Sequence, residues 1–244
     1  MAKIDKTQYS KEQWKIVREE RRRSKAKNNP PEEIKTTPLE KQNNDVAFVI
    51  GNGISREGIE LEALSKIGKV YACNAVYRTF KPDYLVAVDV KMILEINKHK
   101  YQYHNEVWTN PNRQYNSIPN LRFFNPSKGW SSGPTALWMA SYKHGYDTIY
   151  ILGFDFRGIK DSNGEYKRVN NIFADTQNYK KSHDPATYFG NWERQTLTTI
   201  KSHPQTRYIR VVEEGDSFLP KSLKDLPNLE HQTVSEFKKF WQIP

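Results

Sequence analysis

Cysteine pairs, metal-binding spacings and long apolar runs are all missing from this sequence of 244 residues. Cys73 is the only cysteine, which excludes an internal disulfide and a zinc site built from several cysteines. No two of the six histidines have the H-x-x-x-H spacing, so the sequence predicts no metal site. No apolar run reaches the roughly 18 residues of a transmembrane helix, and the polar N-terminus does not resemble a signal peptide. These absences predict a soluble, cytoplasmic protein, or a virion component if a phage encodes it.

The positive charge is concentrated at the N-terminus. The net charge is +10, the apolar content is 36% and the mean hydropathy is −0.85. Residues 1–28 contain ten basic and four acidic side chains, so +6 of the charge lies there and +4 in the rest. So low an apolar content predicts that part of the chain is arm or loop and not core.

Residues 1–28 are predicted to form a basic helical arm and residues 29–44 a proline-containing linker. Within the arm, Ser10 is a suitable N-cap, and no glycine or proline interrupts residues 10–27. The arm has few large apolar groups, so it needs a partner surface to be stable as a helix. The sequence favours two roles for the arm equally. Either it docks onto a protein assembly or a second copy of the chain, or it is simply a solvated helix. Nucleic-acid binding ranks lower, because no groove-reading fold accompanies the arm.

Apolar strands alternate with helical segments from residue 45 to the C-terminus. This pattern predicts an α/β domain over 45–244, with a mostly parallel central sheet and right-handed crossovers. Strands are predicted at 45–50, 69–74, 84–89, 107–109, 121–124, 148–153 and 208–212, the last being the final strand. Helices are predicted at 60–66, for about ten residues after the turn at 131–134, at 191–202 and at 233–241.

Polar turns follow the first two strands. Gly51-Asn52-Gly53 ends the first strand, and Asn74 ends the second. Glycine permits a phosphate or ribose to approach the backbone, and an asparagine amide both donates and accepts hydrogen bonds. Parallel strands end at one edge of a sheet, so we expect these turns to be neighbours. The alternative is that both asparagines only cap the helices that follow.

Two familiar nucleotide-binding patterns are incomplete. Arg56 stands where the third glycine of a dinucleotide turn would be, so the indication of NAD binding is weak. Asp89 ends the third strand without a second acid two residues later, so the D-x-D pattern of metal-dependent sugar-nucleotide binding is absent.

The stretch 131–156 has the order expected of an anion-binding unit. Ser131-Ser132-Gly133-Pro134 forms a turn before a helix, His144-Gly145 ends that helix, and a buried strand then leads to Asp155. A small-residue turn at a helix N-terminus presents backbone N–H groups to anions, although an ordinary βα unit without ligand has the same order. The polar loop 157–188 is too long for a simple connector, which predicts a lid or a wall of a substrate site.

Four segments together resemble a known family: GNGIS, ACNAVY, SSGPTALWMA and IYILGFDF. In this order they are similar to the single-domain bacterial sialyltransferases that build lipooligosaccharide caps. They also resemble the related motility-accessory and pterin-pyrophosphokinase-like proteins, which share a Rossmann-like core. The resemblance covers roughly residues 46–156. It implies a single Rossmann-like domain of the variant GT-A type and a CMP-sugar donor bound without metal or other cofactor.

The resemblance also implies roles for particular residues. Asn52 and Asn74 would match the asparagines that hold the phosphate and nucleotide of the donor, and Ser132 and Gly133 the serine-glycine turn that contacts it. Gly51, Gly53, Ser131 and Asp155 join this predicted site by their positions in the same turns and at the strand end. His183 is the candidate general base, because the family places a histidine in the long loop and imidazole titrates near neutral pH. Arg157 replaces the first phosphate-binding tyrosine of the family, and Tyr166 or Tyr179 would serve as the second.

Two functions therefore remain open from the sequence. The first is a metal-independent, sialyltransferase-like glycosyltransferase that takes a nucleotide-sugar donor and a glycan acceptor. The second is a catalytically inactive protein of the same fold that serves as a structural or docking component of a larger assembly, such as a phage virion. In the second, residues 1–44 would provide the anchor.

Overall fold

The computed structural model describes residues 46–216 and 218–244. The strands found there are β1 (Val46–Ile50), β2 (Lys69–Cys73), β3 (Tyr84–Val86), β4 (Val107–Thr109), β5 (Leu121–Phe123), β6 (Thr148–Leu152), β7 (Arg207–Val212) and β8 (Leu229–Thr233). The α-helices are α1 (Leu61–Leu64), α2 (Val90–Lys98), α3 (Ser132–Trp138), α4 (Gly190–Ser202) and α5 (Val234–Trp241). The predicted arm and linker lie outside the described residues.

One parallel sheet contains all of these strands, in the order β5-β4-β3-β2-β1-β6-β7-β8. The chain builds one side of the sheet from β1 outward to β5 and then returns to place β6 on the other side of β1. There Val46 to Ile50 pair in parallel register with Thr148 to Leu152. The predicted α/β fold is confirmed as Rossmann-like, and β1 and β6 flank its topological switch point.

Helices cover both faces of the sheet, which explains why the strands are almost continuously apolar. On one face Phe48 and Ile50 belong to the core that contains buried residues of α2 and α5. On the other face Ala47 and Val49 belong to the core that contains residues of α3 and α4. The alternation along β1 thus divides its side chains between two separate cores.

The predicted turn, helix and strand of residues 131–153 are present. After α3 the chain continues as a π-helical turn, Met139–His144, and leaves it at Gly145, whose φ is 67°. The Gly145 N–H donates to the carbonyl oxygen of Ala140 at 3.0 Å. Glycine suits this position because its backbone adopts the left-handed conformation without a steric cost. The helix therefore ends where the His144-Gly145 pair predicts.

Two elements differ from the prediction. The prediction that the chain's last strand ends at Val212 is wrong, because β8 follows it and pairs in parallel with β7. The sequence LEHQT does not predict a strand because this edge strand is polar and none of its residues is fully buried. Helix α2 was also missed, although Met92, Ile93 and Ile96 are buried along one face at helical spacing.

The chain between Arg157 and Tyr188 contains no helix or regular strand, as predicted. It folds back on itself through isolated bridges that join Ile159 to Arg168 and Arg168 to Pro185. Of the helices in residues 46–216 and 218–244, none has the length and apolar composition required to cross a bilayer.

Helix α5 provides a matched pair of phenylalanines for testing the core. Phe237 is fully buried, with its ring centroid 5.3 Å from that of Tyr150, whereas Phe240 on the same helix is 62% exposed. We expect Phe237→Ala to lower the free energy of unfolding by about 3–5 kcal/mol and Phe240→Ala by less than about 1 kcal/mol. Urea unfolding measures both values. Similar losses in the two variants would contradict the packing described.

Candidate functional site

Two glycine turns lie against each other at the carboxyl ends of β1 and β6. The N–H of Gly51 donates to Leu152 O at 2.8 Å, and the N–H of Gly53 donates to Gly153 O at 3.0 Å. A Cβ atom on Gly51 would lie 2.5 Å from Gly153 O, and the φ of Gly153 is +68°. The backbones of the two turns can therefore be this close only because Gly51 and Gly153 have no side chains.

Arg56, at the position of the missing third glycine, is buried. Its Nε donates to the carbonyl oxygen of Gly51 at 2.6 Å. Burial lowers the pKa of the guanidinium from its ordinary value. The side chain thus holds the first glycine turn in place.

Asp155 fixes the second turn to the first. Its Oδ2 accepts the N–H of Ser55 at 3.2 Å, and its Oδ1 accepts the Ser55 hydroxyl. Buried Arg210 donates its Nε to Phe154 O at 2.9 Å and an Nη to Asp155 O at 3.3 Å. Both carboxylate oxygens of Asp155 are therefore engaged within the protein.

Ser132 joins the turns that follow β2 and β3 to the start of α3. Its hydroxyl donates to Asn74 Oδ1 at 2.8 Å and accepts the N–H of Val88 at 3.1 Å. Asn74 has a φ of 51°, a left-handed conformation that asparagine tolerates better than most residues. The two predicted residues thus contact each other, although they are 58 positions apart in the sequence.

The side-chain amide of Asn52 has a hydrogen-bond partner for its nitrogen but none for its oxygen. Its Nδ2 donates to the hydroxyl of Tyr179 at 3.1 Å. Its Oδ1 is buried and has no hydrogen-bond partner among the described residues. Neither Asn52 nor Asn74 caps a helix. The 3₁₀ turn after Asn52 has Gly53 as its N-cap, and the 3₁₀ turn that begins at Asn74 has Cys73 as its N-cap.

These turns surround a cavity of about 480 Å³ at the carboxyl ends of β1, β2, β3 and β6. Its remaining walls are the turn before α3, the start of α4 and the loop 157–188. The volume lies within the range of small-molecule sites. Nine predicted site residues line the cavity: Gly51, Asn52, Gly53, Asn74, Ser131, Ser132, Gly133, Asp155 and Arg157. Aromatic side chains also line it, namely Trp130, Phe154, Phe156, Tyr179, Phe189 and Trp192.

Tyr179 is the loop residue that closes the cavity beside β1 and β2. Its hydroxyl accepts the N–H of Ala75 at 3.3 Å in addition to the bond from Asn52. Burial raises the pKa of this phenol well above its ordinary value, so it is neutral near pH 7. The resemblance offers Tyr166 or Tyr179 as the second phosphate-binding tyrosine, and of these two Tyr179 lies in the cavity wall.

A buried carboxylate on α2 anchors the loop segment that contains Tyr179. Glu95 forms an ion pair with Arg78 at 2.6 Å and accepts Asn178 Nδ2 at 2.6 Å. Arg78 in turn donates to Gln177 O at 2.8 Å. Burial alone would raise the pKa of Glu95, but hydrogen bonds from Arg78, Tyr77 and Asn178 outweigh it and hold the pKa below its ordinary value.

Arg157 and Lys180 are the cationic side chains of the cavity wall. Arg157 forms an ion pair with Asp216 at 2.7 Å and lies 4.3 Å from the centre of the Tyr166 ring. Lys180 donates its Nζ to Pro185 O at 3.1 Å and has no ion pair in the described part of the chain. Lys180 is therefore the cation whose charge is not balanced by a carboxylate.

His183 does not line the cavity, in contrast to the role suggested for it. Its side chain is 79% exposed, and its nearest carboxylate partner, Asp184, lies 3.9 Å away. Lys180, three positions earlier, does line the cavity, so the chain turns away between them. The geometry of the loop therefore gives no support to His183 as a base.

The cavity wall also contains Cys73 and Asp89, which the prediction did not assign to the site. Burial raises the pKa of the Cys73 thiol to about 12, so it is neutral and not a nucleophile near pH 7. Asp89 follows β3 just as Asn74 follows β2, so the strand-end rule would have identified it. In the described residues no group of three or more histidine, cysteine, aspartate or glutamate side chains is arranged to hold a metal ion.

Comparison with known proteins adds no assignment. No protein-family model, curated protein or solved structure matches this chain. The description of the site therefore depends on its own geometry.

The contact between the glycine turns can be tested by adding one methyl group. In Gly53→Ala the new Cβ would lie 2.4 Å from Asp155 Oδ2 and 2.7 Å from Gly153 O, so we expect a loss of about 2 kcal/mol or more in unfolding free energy. Gly164 has nothing within 4 Å of its Cβ position and a φ of +78°, so Gly164→Ala loses only about 1 kcal/mol to backbone strain. Chemical denaturation compares the two, and a smaller loss in Gly53→Ala would argue against the contact.

The Glu95 anchor predicts a specific dependence on pH. A carboxyl group whose pKa is lowered by folding stabilises the protein above its unfolded pKa, near pH 4.3, and this contribution is lost as the pH falls through the folded pKa. Glu95→Gln should cost about 3 kcal/mol at pH 7, because Arg78 loses its partner, and progressively less from about pH 5 to pH 3.

Urea unfolding of wild type and variant across this range measures the difference. Glu62→Gln, which changes an exposed carboxylate without an ion pair in the described residues, is the matched control. A wild-type advantage over Glu95→Gln that stays constant with pH would contradict the assignment.

Proposed function

We propose that this protein is a metal-independent glycosyltransferase that uses a nucleotide-activated sugar, with a CMP-sugar as the leading donor. The observation that carries the proposal is the convergence of three polar turns, at Asn52, Asn74 and Ser132, on a cavity at the β1–β6 switch point. Open parallel sheets bind nucleotides at this place. The resemblance to the sialyltransferases supports the choice of donor and implies binding without a metal.

The chemistry of the cavity wall suits a donor of this kind. Buried acceptors without a partner are costly, so a hydroxyl or amine of the ligand would satisfy Asn52 Oδ1. Lys180 supplies a positive charge for the phosphate, and Trp130 and Trp192 supply apolar and aromatic surface for a base or sugar ring. In the reaction the acceptor oxygen displaces the phosphate of the nucleotide at the anomeric carbon.

One observation favours the alternative, an inactive protein of this fold that serves in a larger assembly. Arg157, the residue at the family's phosphate-binding tyrosine position, is engaged with Asp216 and the rings of Tyr166 and Phe218. A protein in which these contacts are permanent would keep the fold without binding a phosphate. The two functions differ in whether the cavity binds a nucleotide.

A thermal-shift panel of CMP, CMP-N-acetylneuraminate, UDP-sugars, GDP-mannose and ATP separates these functions. At 100 times its Kd a ligand stabilises the folded protein by about 2.7 kcal/mol, which corresponds to a rise of about 5–10 °C in Tm. We expect a cytidine ligand to give this rise and Asn52→Ala to abolish it. Asn116→Ala, which truncates an exposed amide away from the cavity, should preserve it. No shift with any member of the panel would reject the transferase proposal.

A further inference from the structure

A second hollow adjoins the cavity on the side of α2. Its volume is about 260 Å³, and its walls are formed by the turns after β2 and β3, the start of α2 and the loop segment anchored by Glu95. Four residues line both hollows: Asn74, Asp89, Asn178 and Tyr179. These residues therefore form the boundary across which a molecule in one hollow meets a molecule in the other.

Asp89 is the carboxylate at this boundary, and nothing in the described residues engages it. It is the N-cap residue of α2, yet its side chain makes no capping hydrogen bond. Asp89 as a whole residue is exposed to solvent, but its carboxyl group lies in the wall of both hollows. Partial desolvation there raises its pKa above the ordinary value for aspartate, so its carboxylate is a better proton acceptor than one fully in water.

The other charged groups of the first cavity already have protein partners, although the charge of Lys180 is not balanced by a carboxylate. Asp155 accepts two hydrogen bonds from Ser55, and Arg157 forms an ion pair with Asp216. Lys180 donates to a backbone carbonyl. Asp89 is thus the carboxylate of the first cavity that is left to act on a bound molecule.

We propose that Asp89 is the general base of the transfer reaction and that the second hollow binds the acceptor whose hydroxyl it deprotonates. This inference rests on the proposed function, since it requires a nucleotide-sugar in the first cavity. It gives Asp89 the role that the resemblance assigns to His183, whose exposed side chain lies outside both hollows.

The step is balanced without a further reactant. The acceptor O–H bond breaks and its proton passes to the Asp89 carboxylate, while the acceptor oxygen forms a bond to the anomeric carbon of the donor. The bond between that carbon and the phosphate oxygen breaks, and its electron pair leaves with the nucleotide. Positioned bases of this kind contribute about 100- to 10,000-fold to a rate.

The lining of the second hollow identifies the chemical class of the acceptor. Besides Asp89, its lining contains the amides of Asn74 and Asn178, the ring of Tyr179, the cationic side chain of Lys91 and the apolar side chains of Val90 and Met92. Asn178 Nδ2 is committed to Glu95, and its Oδ1 accepts no hydrogen bond from the described residues. Amide groups beside an aromatic ring suit a polyhydroxylated molecule such as a sugar.

The test measures two quantities on the full-length protein. Calorimetry gives the Kd of the donor that raises Tm most in the panel described above. Nucleotide release from that donor gives the rate of transfer to water, which needs no knowledge of the natural acceptor. Asp89→Asn removes the base without changing the size of the side chain, and asparagine remains a good N-cap for α2.

We expect Asp89→Asn to lower the rate at least 100-fold with the Kd changed less than threefold, and His183→Ala to leave both within twofold. In Asp89→Ala, added sodium formate should restore part of the rate, because formate supplies a carboxylate in the vacated space. Asp225→Asn, which alters an exposed carboxylate outside both hollows, is the matched control.

Each remaining outcome has a definite meaning. Wild-type binding with an unchanged rate in Asp89→Asn overturns the assignment of the base but not the proposed function. A large loss of rate in His183→Ala with none in Asp89→Asn restores the histidine and rejects the aspartate. A loss of donor affinity equal to the loss of rate would make Asp89 a binding residue and also reject the proposal. Absence of donor binding to the wild type overturns both inferences.

Discussion

The contact between two backbone turns at the switch point is the constraint on which the site depends. β1 and β6 are neighbours in the sheet. Gly51 and Gly153 allow the turn after β1 to contact the turn after β6 before the two segments separate. Asp155 and buried Arg56 fix the turns from either side. Once this contact is fixed, the strand ends of β1 and β6 hold constant positions, and the space beyond them becomes a cavity of defined size.

How much of the site can be predicted depends on how local its determinants are. A strand followed by a polar turn is a local pattern, and parallel strands end at one edge, so Asn52 and Asn74 could be placed together from the sequence. The position of Tyr179 depends on Glu95 and Arg78, which lie far away in the sequence and on other elements. No periodicity in the loop indicates these contacts. His183 is assigned to the site from the resemblance, and nothing in the loop sequence shows that its side chain is exposed.

The polar groups of the site divide into those that build it and those left for a ligand. The Ser132 hydroxyl hydrogen-bonds both Asn74 and Val88, and both carboxylate oxygens of Asp155 accept hydrogen bonds from Ser55. A buried polar group that is fully satisfied adds rigidity, whereas an unmet one costs free energy until a partner arrives. Asn52 Oδ1 is such a buried, unmet group. The carboxylate of Asp89, an exposed residue, also lacks a protein partner in the described residues, and both groups lie in the cavity wall.

The two edges of the sheet have a consequence for the behaviour of the protein in concentrated solution. β5 is only three residues long, and β8 presents the exposed side chains of Glu230 and His231, with Glu230 paired to Arg207. Short or charged edge strands are poor templates for the addition of a strand from another molecule. A parallel sheet of eight strands is in this way protected from growing into intermolecular β-aggregates.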